Sequence, residues 1–399
     1  MAKKHDNAFV ALVILMASCA AEEPGNVPDT FEDQFTRPDH INEIFRQVGP
    51  NEPTDLFSSE GQIHMQTLPA VGREDRHAAV EDWFPGAAEC EPMDQRNGDV
   101  MSTIVDLAAD TRIVIINEAH DRPQHREFTR RLATRLAPLG FTHFAAEAFD
   151  PETLENDQFP YARTNFGTYV KDPVFGGLVR TAKDLGLVLV AYDAKIGDSD
   201  ADLDLVERVN RREERQASRL AEVIAAMPES ERILIHAGYS HAAEVPIQSF
   251  GGNPMEWMAA RLKRHTGIDP LTIDQTDCLS EDDRIQLTAP SPRHAPGQHD
   301  LMVAHPALTF ADGRPEWRAE GAITKVRIPS ELISQSTRTI VEARYVDEPM
   351  DAVPIDRVML WPGESLPLLL PAGSYLITGF HEGSDEHAST RIDIGSQLQ

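Results

Sequence analysis

Arg112-Ile113-Val114-Ile115-Ile116-Asn117-Glu118-Ala119-His120 decides the fold. Four consecutive β-branched apolar residues without alternation read as a strand buried on both faces, as in a parallel sheet covered by helices. Asn117, Glu118 and His120 arrive where that strand should end, and after Pro123 a helix-like segment runs over about residues 124–139. In open α/β sheets, ligands bind outside the carboxyl ends of the strands. A glutamate and a histidine two residues apart therefore stand where such a fold does chemistry. Side chains alternate on extended backbone, so Glu118 and His120 point the same way.

The same grammar recurs downstream. The apolar run Phe141–Ala146 ends in Glu147, the run over 187–192 ends in Asp193, and the run over 233–235 ends in His236, then Gly238 and His241. Helical signals at Val100–Ala108 and over 176–185, 205–227 and 254–266 separate these runs, and 271–273 reads as a last strand. Repeated βα units predict an α/β domain over residues 96–282, with a mostly parallel sheet flanked by helices and right-handed crossovers. The stretch 290–296 reads as a linker. Short β-like runs at 323–328, 339–345, 358–360, 366–370 and 374–380 then predict a small C-terminal β-sandwich-like domain over 297–399.

Composition narrows the function. Among 399 residues, Lys and Arg number 37 against 65 Asp and Glu, a formal net charge of −28. No nucleic acid is expected as partner, because that affinity rests on basic side chains meeting phosphates. Lys3 and Lys4 make a basic start, and the apolar run over 8–17 is short for a membrane span. Met16-Ala17-Ser18-Cys19 resembles a bacterial lipobox, which implies a lipoprotein-type signal segment over 1–19 and lipidation at Cys19. The expected location is the bacterial cell envelope, periplasmic or outer-membrane, with the membrane reached through the lipid anchor. Residues 20–95, rich in Pro, Asp, Glu, Asn and Gly, read as an acidic tether and loop with short amphipathic pieces at 40–48 and 78–84. Export implies an oxidising compartment. Cys90 and Cys278 bracket the α/β region, and their spacing leaves open a disulfide or two buried thiols.

The chemistry-bearing residues are carboxylates and imidazoles. Glu118 with His120 suits metal ligation or general acid–base work, and equally a hydrogen bond that ties down the next helix. Glu147 at a buried strand end needs a partner, and Arg212 is the candidate. Gly238 permits a tight turn that aims His241 into the cleft beside Glu118. His236 reads equally as a core histidine, and His125 as an exposed helix residue. No Gly-x-Ser-x-Gly elbow, Walker loop, dinucleotide glycine fingerprint, His-Glu-x-x-His or paired Cys-x-x-Cys occurs.

Four motifs together carry a resemblance. Asn117-Glu118-Ala119-His120 looks like a Gly-Glu-x-His motif, and Ala145-Ala146-Glu147-Ala148-Phe149 looks like an acidic second strand. Arg212-Glu213-Glu214-Arg215-Gln216-Ala217 is similar to an Arg-Asp-x-x-Met-Ala helix motif, and His236-Ala237-Gly238-Tyr239-Ser240-His241 to a Gly-x-x-His element. This pattern resembles the superfamily of ChaN-like haem-uptake lipoproteins, erythromycin esterases, and Tiki and TraB proteins, over roughly residues 100–275. The Arg212 helix and the lipoprotein-type leader point most to the ChaN-like branch. Asn117 and Gln216 depart from the usual glycine and methionine.

The resemblance implies one cleft where the motifs converge. It leaves two functions as expectations. One is a hydrolase of an ester or peptide, in which Glu118, His120 and His241 activate water or a divalent metal–water while Glu147 and Arg212 orient the site. The other is a non-catalytic haem-binding, iron-uptake lipoprotein, with Tyr161, Tyr169, Tyr192 or Tyr239 supplying an axial oxygen and a histidine nearby.

Overall fold

The computed structural model describes residues 37–395, apart from 52, 54, 57, 82–87, 89, 94–98, 156, 194–201 and 249–251. Cys19 and the leader lie outside the described residues. The chain opens with helices α1 (Asp39–Val48), α2 (Ser59–Ala70) and α3 (Glu74–Glu81). There follow α4 (Val100–Ala108), β1 (Ile113–Glu118), α5 (Pro123–Leu136), β2 (Phe141–Ala146), the short α6 (Pro151–Glu155), α7 (Pro173–Asp184) and β3 (Val188–Ala191). Then come α8 (Leu205–Ala226), β4 (Arg232–Gly238), a small hairpin of β5 (Ile247–Gln248) and β6 (Pro254–Met255), α9 (Met258–Thr266), β7 (Leu271–Asp274), β8 (Leu279–Ser280), β9 (Gln286–Thr288) and β10 (Leu301–Pro306).

The central sheet runs β3-β2-β4-β1-β7-β10-β8, with β9 paired to β10. Every pairing is parallel except that of β9. All six residues of β1 are buried, as an uninterrupted apolar run requires. One face carries α4, α5 and α7, through Ile104, Phe128, Leu132, Phe175 and Leu178. The other carries α8 and α9, through Ala217, Leu220, Met258 and Leu262. The chain leaves β1 across β4 to reach β2, and later leaves β4 across β1 to reach β7. The β1–β4 pair is therefore the point where strand order reverses, with Glu118 and Gly238 side by side at their carboxyl ends.

Two boundaries differ from the sequence reading. The 290–296 stretch is a loop inside the α/β unit, because β9 and β10 complete the sheet beyond residue 282. The described part of 20–95 is helical rather than a tether. Ile41, Ile44, Phe45 and Val48 follow helical spacing and bury together with Met65 and Leu68 against Ile340, Met359 and Phe380 of the C-terminal sheet. Polar composition hid that stripe, and Trp83 and Phe84 lie outside the described residues.

The C-terminal region is antiparallel. Its four-stranded sheet has the order Asp356–Leu360, Thr339–Tyr345, Gly373–His381, His387–Ile394. One face packs on the Thr324–Val326 and Leu368–Leu370 pair and the other on α1 and α2. That double cover explains why Thr339–Ala343 are all buried. Cys90 and Cys278 form a disulfide with a Cα–Cα separation of 5.8 Å. It ties the segment before α4 to the start of β8.

Candidate active site

Four strand ends converge as the sequence implied. Glu118 at the end of β1 is 2% exposed. Its Oε1 takes a hydrogen bond from His120 Nδ1 at 2.9 Å, and its Oε2 lies 2.9 Å from His236 Nε2. Arg126 on α5 grips the same carboxylate with Nε at 2.7 Å and Nη2 at 2.9 Å. It also donates to the His120 carbonyl at 2.8 Å and to Asp172 at 2.7 Å. Asp172 caps α7 with its other oxygen, accepting from Val174 N. Burial alone would raise the Glu118 carboxyl. The charges of Arg126 and His236 and the two imidazole hydrogen bonds outweigh that, and hold it well below the usual carboxylate range.

An ionised Glu118 fixes the ring beside it. With Nδ1–H donating to the carboxylate, Nε2 is the ring nitrogen left to accept a proton. The ring stacks on Tyr169, centroids 4.0 Å apart at 14°, and meets Tyr239 edge-on at 5.1 Å. Its Cε1–Nε2 edge lies over Gly238. A Cβ at Gly238 would come within 2.5 Å of Cε1, 2.7 Å of Nε2 and 3.0 Å of Glu147 Oε2. The glycine read as a turn residue is thus needed for close approach as well.

Glu147 anchors a second group of charges. Arg212 Nη2 donates to its Oε1 at 2.6 Å, confirming the pairing expected from sequence, and the Gly238 amide donates to its Oε2 at 2.6 Å. His241 lies between two carboxylates, Nδ1 at 2.9 Å from Glu213 and Nε2 at 3.3 Å from Glu147. Glu213 is fully buried and also accepts from the Met258 amide at 2.8 Å. Burial would lower the imidazolium's pKa, but the Glu147 and Glu213 charges raise it to about 10. Glu147 is held well below its usual range by His241 and Arg212 against the cost of burial. Arg212 Nη1 lies 3.4 Å from His241 Nε2, so two cations converge on one carboxylate. Asp193 pins Arg212 Nε at 3.0 Å, and Gln216 donates to Asp193 at 2.8 Å. Gln216 therefore fixes Asp193 in turn.

Several expectations change. His241 does not stand beside Glu118 as the turn suggested; it pairs with Glu147 and Glu213, and His236 takes the place on Glu118. His125 is buried, not exposed, and its Nδ1 accepts from the Ala119 amide at 3.1 Å. Asn117 donates to the Tyr239 carbonyl at 3.0 Å and accepts from the Gln275 amide at 2.7 Å. It secures Tyr239, whose φ of 39° is strained for a non-glycine residue. Sequence reading missed Arg126, Asp172 and the role of Glu213. An arginine one turn inside the helix that follows Glu118 was the available signal.

The donors do not fit a divalent ion at Glu118, His120 and His241. Both Glu118 oxygens are taken by Arg126, His120 and His236, and His241 faces Glu147 and Glu213, so the three side chains do not turn toward one shared point. Among the described residues no group of three or more His, Cys, Asp or Glu side chains is arranged to hold a metal. Haem ligation by Tyr192 fits no better. Tyr192 is fully buried and donates to the His236 carbonyl at 3.1 Å.

No protein-family model matches this sequence, and no characterised protein matches it at significant similarity. Solved structures align weakly. The type III effector HopBA1 is 14% identical over 56% of this chain and 99% of its own, with a TM-score of 0.33. RRSP, a MARTX toxin effector domain from Vibrio vulnificus, is 14% identical over 68% of this chain and 48% of its own, at 0.31. The C-terminal region of Pasteurella multocida toxin is 9% identical over 84% of this chain and 55% of its own, at 0.35. This chain spans about half the length of those two larger toxin chains. Likenesses at this level carry no argument about activity.

Proposed function

We propose that the protein is a metal-independent hydrolase of an ester or peptide bond, with the Glu118–His120 pair as general base. The observation that carries this reading is the geometry at Glu118. A carboxylate kept ionised by Arg126 orients His120 and leaves Nε2 as the basic nitrogen. His120 Nε2 takes the proton from water as the water oxygen attacks the carbonyl carbon, and returns it to the leaving group. Arg212 and His241, fixed by Glu147, Asp193 and Glu213, orient the site. The disulfide supports export to an oxidising compartment, in keeping with a lipid-anchored envelope protein.

The test is hydrolysis of p-nitrophenyl esters and fluorogenic peptides by the full chain in excess chelator, beside Glu118→Gln. Chelator-resistant turnover that falls by about 10²-fold or more in the variant is expected. Turnover that requires added zinc or manganese would replace this reading by a metallohydrolase. Stoichiometric haem uptake without turnover would replace it by the haem-binding alternative.

A further inference from the structure

The C-terminal β unit carries none of the four motifs, yet it holds both the Tyr169 segment and α3, which reach His120 and Asp121. Tyr169 stacks on the imidazole at 4.0 Å. Its segment is held from outside the α/β unit. The Lys171 carbonyl accepts from Arg357 at 2.8 Å, and the Lys171 ammonium pairs with Glu43 of α1 at 2.6 Å. Upstream, Thr164 N donates to the Asp351 carbonyl at 2.8 Å, Arg163 pairs with the Asp351 carboxylate at 2.8 Å, and Val353 N donates to the Ala162 carbonyl at 2.8 Å.

A second contact is at the next residue, Asp121, which directly follows His120. Its carboxylate lies 3.0 Å from Nε2 of His77 on α3, a histidine 2% exposed. α3 is in turn fixed to the β unit. Arg73 donates to the Met359 carbonyl at 3.1 Å and pairs with Glu364 at 2.6 Å, while Arg76 lies over the Trp361 ring at 3.8 Å. Arg357 and Glu342, both fully buried, form the hub of this frame at 2.6 Å, with Arg344 also on Glu342 at 2.6 Å.

We propose that Tyr169, through its stack on the ring, and His77, through Asp121 at the next residue, are positioning residues for the Glu118–His120 pair, and that the N-terminal helices and C-terminal β unit form the frame on which both are mounted. This rests on the proposed role of His120 for its effect on rate, but the geometry it describes does not. A ring stacked on one face and a backbone pinned at the next residue leave the imidazole one orientation.

The experiment uses the full chain labelled with ¹⁵N-histidine, and p-nitrophenyl butyrate as probe. Tyr169→Leu and His77→Gln are expected to change the ring-nitrogen signature of His120 from a single Nε2-basic tautomer to a mixture, and to lower kcat about tenfold with little change in KM. Tyr169→Phe, which keeps the stack, should restore both. Arg163→Gln, remote from the pair, should move the signature in the same direction, which covers the case in which a Tyr169 or His77 variant fails to fold. A His120 signature identical to wild type in folded Tyr169→Leu, His77→Gln and Arg163→Gln would overturn the proposal. Absence of hydrolysis by the wild type would count against the proposed function alone, since the nitrogen signature still decides the positioning.

Discussion

His241 shows how far a side chain's behaviour can depart from its spelling. As a histidine after a glycine turn it reads as a base or ligand. Set between Glu147 and Glu213, with a pKa raised from 6.5 to about 10, it is a cation at neutral pH. The stabilisation it gives is fully present below about pH 6.5 and is lost as pH rises through about 10. The urea midpoint of the wild type should therefore exceed that of His241→Gln at pH 6 and converge on it near pH 10. Activity should fall on the same alkaline limb. Glu147 has the opposite sign: held below its ordinary 4.5, it stabilises above that pH and loses this as acid protonates it. Gly238 makes a second residue-level prediction. A methyl there would stand 2.5 Å from the His120 ring, so Gly238→Ala should remove most turnover while circular dichroism stays native. Steady-state kinetics beside the spectrum checks both. Glu118, His120, Glu147 and Arg212 were legible because each sits at a strand end or in a motif. Arg126 was not, since an arginine in a helix is usually solvated and only its buried partner changes that.

At the scale of elements, β1 and its parallel neighbours could be read from unbroken apolar runs. The same rule failed for β10, Leu301–Pro306, because one short run after a proline-rich loop is indistinguishable from a domain start. α1 was visible as an amphipathic piece but was discounted on composition, although Ile41, Ile44, Phe45 and Val48 mark one helical face. The disulfide belongs to this scale too. Two cysteines separated by 188 residues leave pairing undecided, and only the fold brings their Cα atoms to 5.8 Å. Because it closes a long loop across the sheet, Cys90→Ser with Cys278→Ser should cost about 2–5 kcal/mol. Denaturant midpoints of the oxidised protein and the double variant measure this.

For the whole molecule, a division into tether, α/β domain and separate β domain gives way to an interleaved body. The N-terminal helices pack on the C-terminal sheet, and that sheet holds the Tyr169 segment. Residues 96–282 expressed alone would lack β10 and bare the β7 edge, together with apolar surface that Val303 and Leu301 cover. That fragment should therefore fail to unfold cooperatively and should aggregate, whereas residues 37–395 should unfold in a single transition. Calorimetry of the two distinguishes an integral frame from an appended module. Sequence pattern could not show this, because contacts between the first and last parts of a chain leave no local periodicity.

The central claim is that His120, oriented by Glu118, is the base. The most direct measurement is turnover of the best ester or peptide substrate by His120→Ala, in chelator, with and without added imidazole. The account predicts a loss of about 10²-fold or more and partial recovery with imidazole in proportion to its free-base concentration. Turnover of folded His120→Ala equal to that of the wild type would contradict it.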